Sequence, residues 1–150
     1  MSTDGLSVDE GIRTLLLLMP RMVGRVKRHK VPAELQSLAL APRHLSLLAY
    51  LLFDGAMTVN ELAARLEVAP TTVSLMVGEL SRKGVLERRE DDADRRRTIV
   101  SIPERRQGAI HEWLGRGAQA WRQALEPLTP EQRRMFVETL LAYEQALSED

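Results

Sequence analysis

From Thr58 to Gly84 the sequence spells two short helices separated by only three residues, a spacing that makes them cross and pack on each other. In TVNELAARLEVA, Thr58 and Glu61 have capping-box spacing, so the hydroxyl can accept from a first-turn amide while the carboxylate reaches back to the cap amide. Leu62 and Leu66 lie one turn apart on the packed face, and Ala63 and Ala64 keep the helix slim. Glu67, Val68 and Ala69 form the turn. Pro70 opens the second helix, where its missing N–H and fixed φ cost nothing. Val73, Val77 and Leu80, with Met76 alongside, make the core-facing stripe, which turns Thr71, Thr72, Ser74, Leu75 and Gly78 outward. That outer face is small, hydroxylated and nearly uncharged, a shape that enters a major groove and offers hydroxyls to phosphates or base edges. Gly84 ends the helix after Arg82 and Lys83, whose charges suit its negative end.

The next stretch, VLERREDDADRRRTIVSI, predicts two strands, Val85 to Arg89 and Thr98 to Ile102, joined by a polar tip that projects into solvent. Glu87 to Arg97 holds five arginines and five carboxylates, so the hairpin is neutral in sum and is not a bulk cationic patch. One reading is that Asp94 orients a neighbouring guanidinium, with Arg96 the first choice, so that a preset arginine enters a minor groove. Arg95 and Arg97 then stand beside it as phosphate contacts. The other reading is a solvated run of charge. A helix-turn-helix followed by such a β wing makes duplex DNA the leading partner.

The run ELAARLEVAPTTVSLMVGELSRKGVLERREDDADRRRTIVSI resembles the core of the multiple-antibiotic-resistance-regulator (MarR) family of bacterial transcription factors, whose pattern is ELA, a TVS-containing recognition helix, L..KG[LV]..R, D..DRR and a returning apolar strand. LAPRHLSLLAYLL is similar to the family's helix before the motif, and the C-terminal helices to its dimerisation arm, so the resemblance covers nearly the whole chain. Three features depart from the pattern. Leu75 and Gly78 stand where polar residues are common, IPERRQG replaces the usual Thr and Gly after the wing, and Arg43-His44 replaces a Gln or similar residue.

The resemblance implies a single mainly α domain with a small β-hairpin wing. Its DNA-binding lobe would span about 42–102, flanked by dimerisation helices at about 6–30 and 105–148. It implies a homodimer that binds a pseudo-palindromic operator and regulates transcription, with repression by blocking polymerase preferred to activation. It also implies a small aromatic or phenolic effector held between lobe and helical layer. Met19, Met22, His44, Leu47 and Leu48 are candidate walls, although core packing explains them equally well. The expected DNA-contacting set is Pro70, Thr71, Thr72, Ser74, Leu75, Arg82, Arg95, Arg96 and Arg97, with Asp94 orienting Arg96.

The outer segments carry apolar stripes. Ile12, Leu15, Leu16, Met19 and Val23 lie on a long first helix that Pro20 is expected to kink. Phe136, Leu140, Tyr143 and Leu147 repeat along the last helix, and Trp113, Trp121 and Leu125 along the one before it. These stripes either cover one monomer's core or pair with a second copy about a two-fold axis, and the resemblance favours the second.

At 150 residues with 44% hydrophobic side chains, the chain is long enough to bury one substantial core. Neither a signal peptide nor an apolar run near membrane-spanning length is present, so the expectation is a cytoplasmic protein with no membrane partner. Zero cysteines exclude thiol-based oxidant sensing and Cys-ligated zinc. His29, His44 and His111 are scattered singly, which gives no metal site, and without phosphate loops or nucleophile elbows neither an enzyme nor a cofactor is expected.

The zero net charge argues at first against nucleic acid. Its distribution softens the objection, since Arg21, Arg25, Lys27, Arg28 and Lys30 crowd one end of the first helix while the C-terminal segment is acidic. The competing class is a winged-helix module whose weakly charged face binds protein instead of DNA.

Overall fold

The computed structural model describes residues 5–28 and 31–149. His29 and Lys30, which belong to the expected first arm and basic cluster, lie outside the described residues. In chain order the elements are helices α1 (Val8–Lys27), α2 (Ala33–Gln36) and α3 (Pro42–Asp54), strand β1 (Met57–Thr58), helices α4 (Val59–Leu66) and α5 (Pro70–Arg82), strands β2 (Glu87–Glu90) and β3 (Thr98–Ser101), and helices α6 (Glu104–Leu125) and α7 (Pro130–Ser148). The fold is the expected mainly α winged helix-turn-helix. The chain divides into two compact units, one through Trp113 and one from Leu114.

In the first unit a three-stranded antiparallel sheet has β3 in the middle, with β1 and β2 on either side. Arg88 pairs with Val100 and Arg89 with Ile99, which fixes the wing's register. On the other edge Met57 pairs with Val100 and Thr58 with Ile99. Thr58 therefore belongs to the sheet through its backbone and caps α4 through its side chain, since its hydroxyl accepts from the Glu61 N–H at 3.2 Å. Leu35, Leu47, Leu48, Leu62, Val73, Val77, Leu80, Val85, Val100 and Ile110 close the core, each essentially inaccessible to water. At roughly 1.5–3 kcal/mol for each large aliphatic side chain buried, this cluster is the main force holding helices to sheet.

The wing's first strand starts later than its apolar residues suggest. Val85 and Leu86 are buried, but their N–H groups are used by the end of α5, donating to Leu80 O at 2.9 and 3.3 Å. With Gly84 at φ 72° and its own N–H on Ser81 O, this is a Schellman closure, which needs a left-handed residue at that point. The Arg106 guanidinium donates to Gly84 O at 3.2 Å, so the start of α6 is tied to the same corner.

The α1 helix opens on a reciprocal Ser7–Glu10 capping box and runs unbroken through Pro20. Its stripe is left in the open, with Ile12, Leu15, Leu16, Leu17, Val23 and Val26 all about half exposed or more.

In the second unit Thr129 and Gln132 form the capping box of α7. Arg133 donates to the carbonyls of Leu125 and Glu126 at 2.8 Å each, closing the end of α6. The Trp121 and Phe136 rings meet at 5.6 Å between centroids. None of the nineteen residues of α7 is buried, although Met135, Val137, Leu140, Leu141, Tyr143 and Leu147 all lie along it. No helix among the described residues is long and apolar enough to cross a membrane.

Candidate nucleic-acid interface

The three-residue turn between α4 and α5 is made by a left-handed backbone at Glu67, φ 56°, whose N–H turns back to Ala63 and Ala64 carbonyls. Val68 N–H adds a bond to Ala63 O at 3.2 Å, and α5 then starts at Pro70. With Val73 and Val77 fixed in the core, Thr71, Thr72, Ser74 and Leu75 are turned to solvent together with Pro70. Leu75 is 76% exposed, more than any other large apolar residue described in the first unit except Val8.

Gly78 departs from the outward face expected of it. It is buried, and the Arg82 guanidinium lies back along the helix over it, with Nη1 only 3.4 Å from where a Cβ would stand. A helical side chain in its usual rotamers leans toward the N-terminus, so Arg82 fills the space that Gly78 leaves.

At the wing tip Asp94 grips Arg96 three times. The carboxylate accepts from the Arg96 backbone N–H at 3.1 Å, from Nε at 3.2 Å and from Nη2 at 3.4 Å. Those bonds, side chain first, hold the Asp94 carboxyl below the usual aspartate range, so it remains ionised throughout the neutral region. Arg96 itself stays 91% exposed, oriented but available. Arg95 is exposed as well, and no ion pair among the described residues engages it.

Arg97 is placed differently from the two arginines before it. Its Nη2 donates to Glu61 Oε1 at 2.8 Å, linking the wing to the first turn of α4. The Glu61 carboxylate does not complete the box with Thr58 that its spacing suggests, because a guanidinium brought close by the sheet is the stronger partner. Ser74, Arg96 and Arg97 line one open cleft together with Thr58, Asn60, Glu61 and Thr98. Asn60 was not singled out in the sequence, where an exposed Asn in a helix's first turn carries no distinguishing signal.

Of the five expected effector-wall residues, the three on α3 are packed in the core. Leu47 and Leu48 are 0% exposed and His44 is 1%, so no space wide enough for even a water molecule reaches the two leucines. Met19 is partly exposed and Met22 is exposed, both on α1.

His44 has another task. Its Nδ1 accepts the Ala41 N–H at 3.0 Å, replacing an N-cap side chain for α3, and the proton therefore sits on Nε2. Nε2 has no hydrogen-bond partner and points toward Glu79 Oε2 of α5 at 3.7 Å, a carboxylate also approached by Arg43 and Lys83 at 3.6 Å. Burial, opposed by Glu79 and aided by Arg43 and Lys83, lowers the His44 pKa below its ordinary value. The unfolded chain then binds a proton that the folded chain refuses, so stability drains away as pH falls below about 6.5 toward the folded value. In His44→Asn the amide oxygen can keep the Ala41 bond while the titration disappears. Denaturant melts between pH 7 and pH 5 are expected to show a smaller loss for the variant than for the parent, and equal losses would show that His44 does not titrate as assigned.

Residues 40–97 match the model of the MarR family. The HTH-type transcriptional repressor MdtR of Bacillus subtilis is 35% identical over 74 residues, which are 47% of this chain and 48% of that protein. The chain thus matches about half the length of that relative. Among solved structures, the MepR–DNA complex of S. aureus superposes with a TM-score of 0.60 at 21% identity, over 87% of this chain and 96% of that one. The PcaV transcriptional regulator from Streptomyces coelicolor, in complex with its natural ligand, gives a TM-score of 0.62 at 18% identity, over 98% and 99%. At these identities the two structures establish the shared fold.

Proposed function

From the premise that this chain carries a MarR-family winged helix, we propose that it is a non-enzymatic, sequence-specific DNA-binding transcriptional regulator that acts in the cytoplasm as a homodimer. The observation that carries the reading is the cleft in which Ser74 of α5 meets Arg96 and Arg97 of the wing, with Arg96 already aimed by Asp94. A hydroxyl-bearing helix face suits a major groove, and an oriented, unburied guanidinium suits the adjacent minor groove. Holding Arg96 in place before binding lowers the entropy lost when it docks. The likeness to MdtR, named a repressor, and to MepR, solved with DNA, supports this choice.

The domain plan is a lobe at about 42–102 with arms on either side that pair two copies. Two recognition helices related by a two-fold axis then meet successive major grooves, so half-site centres lie about 10 base pairs apart or a close multiple. Repression, by occupying polymerase's path, is the favoured sign. A small aromatic or phenolic effector would act by preferring a spacing of the two lobes that does not fit the operator. PcaV, solved with its natural ligand, supports an effector.

The test is binding to random-sequence duplex DNA across a salt series. The expected result is retardation at low salt whose affinity falls linearly on logarithmic axes as salt rises. No binding even at low salt would overturn the proposal and leave the protein-binding module.

A further inference from the structure

The front half of α5 offers an unusual set of groups. Its exposed positions are Pro70, Thr71, Thr72, Ser74 and Leu75, so no guanidinium, ammonium or amide stands there to pair with a purine edge. Of the long polar side chains further along α5, Glu79 is turned to Arg43, His44 and Lys83, and Arg82 is laid back over Gly78. Among the front positions stands a bare isobutyl group, 76% exposed, one residue from the Ser74 that lines the wing cleft. A leucine left in water forgoes most of the free energy that full burial would supply, a gain still open to a contact made later. In a major groove the one apolar feature among the base edges is the C5-methyl group of thymine.

We propose that Leu75 is a specificity-determining residue that reads thymine methyl groups, so that each half-site carries at least one thymine recognised by apolar contact. The inference rests on the DNA-binding reading and adds to it the chemistry of the base selected. It also follows that methyl discrimination, and not hydrogen bonding to guanine, dominates selectivity along the front of α5. Thr71 and Thr72 carry methyl groups too, but each is shorter, held close to the helix and bears a hydroxyl that prefers phosphate or water.

The experiment starts from a duplex selected from a random library with the purified full chain. Each thymine is then replaced in turn by deoxyuridine, which removes one methyl and changes no hydrogen-bonding group. At one thymine per half-site the parent is expected to lose about fourfold in affinity, and about fifteenfold when both half-sites are changed, as for burial of one methyl or two. Leu75→Ala should bind the thymine and deoxyuridine duplexes within a factor of two of each other. Because Leu75 is exposed, the variant should fold, which circular dichroism checks. Leu75→Gln is a second route to the same loss of discrimination.

If deoxyuridine changes nothing at any position, or if Leu75→Ala and Leu75→Gln both retain the parent's discrimination, the assignment is wrong while the DNA-binding reading stands. Failure of the parent to bind random duplex at low salt overturns both.

Discussion

A Leu140→Asp, Leu147→Asp double variant is expected to sediment as a folded monomer at micromolar concentration, where the unaltered chain sediments as a dimer, and to lose its tight grip on a two-half-site duplex. The reason lies in α7, whose nineteen residues include none that is buried within the chain while Leu140 and Leu147 remain 39% and 59% exposed. A helix with that many uncovered apolar groups gains little from its own chain, and a second copy can supply what is missing. Placing an unpaired carboxylate in such a seam costs on the order of several kcal/mol, and a two-fold axis counts each substitution twice. Since both positions are exposed in the single chain, its fold should survive, and circular dichroism distinguishes dissociation from unfolding. An unaltered chain that is monomeric at micromolar concentration would refute the paired arrangement.

Replacing the wing arginines should separate two kinds of loss. Arg96→Ala removes one exposed cation per protomer and leaves Asp94 without its partner, so binding weakens on every sequence and the salt slope becomes shallower by about 2 for a dimer. Arg97→Ala should be worse, because the carboxylate it uncovers, Glu61, lines the cleft itself and would face phosphate unneutralised, whereas Asp94 is not among the cleft's lining residues. Adding Glu61→Gln to Arg97→Ala is expected to restore part of the affinity, although a cation is still missing. Fluorescence anisotropy on one duplex at two salt concentrations measures all three. If Arg96→Ala folds and binds like the parent, the wing tip is only a solvated hairpin, and an absence of rescue by Glu61→Gln would show that the Arg97 bridge is structural.

Much of the helix-turn-helix was legible because its signals are local. Thr58 and Pro70 mark helix starts, Gly84 marks an end, and the Val73–Val77–Leu80 stripe fixes which face is inward. The pairing of Asp94 with Arg96 was legible for the same reason, as two residues of one tight tip. The strand Met57–Thr58 was not, since two residues show no alternation and owe their strand character to β3, some forty positions on.

Glu61 was misread because its capping partner is three residues away whereas Arg97 is 36 away and visible only in the fold. For Gly78, helical periodicity marks an outward position, but it cannot show that the side chain of Arg82 will lie over it. His44, Leu47 and Leu48 share a helical face that serves a pocket or a core equally well, and their burial is visible only in the fold.

Thr58 ties α4 to the sheet at two points. Rotating α4 would pull the Thr58 hydroxyl from the Glu61 amide or strip its backbone from Ile99, and the Arg97–Glu61 pair closes the same loop from the wing side. Helix, turn and wing are thus tied into one frame, and if two copies read an operator as proposed, a misfit would be absorbed by bending of the DNA or by a change in the distance between the two frames. A descendant of this chain adapting to a new operator would keep the frame and exchange the side chains mounted on it. The positions most open to exchange are those such as Leu75, which is 76% exposed.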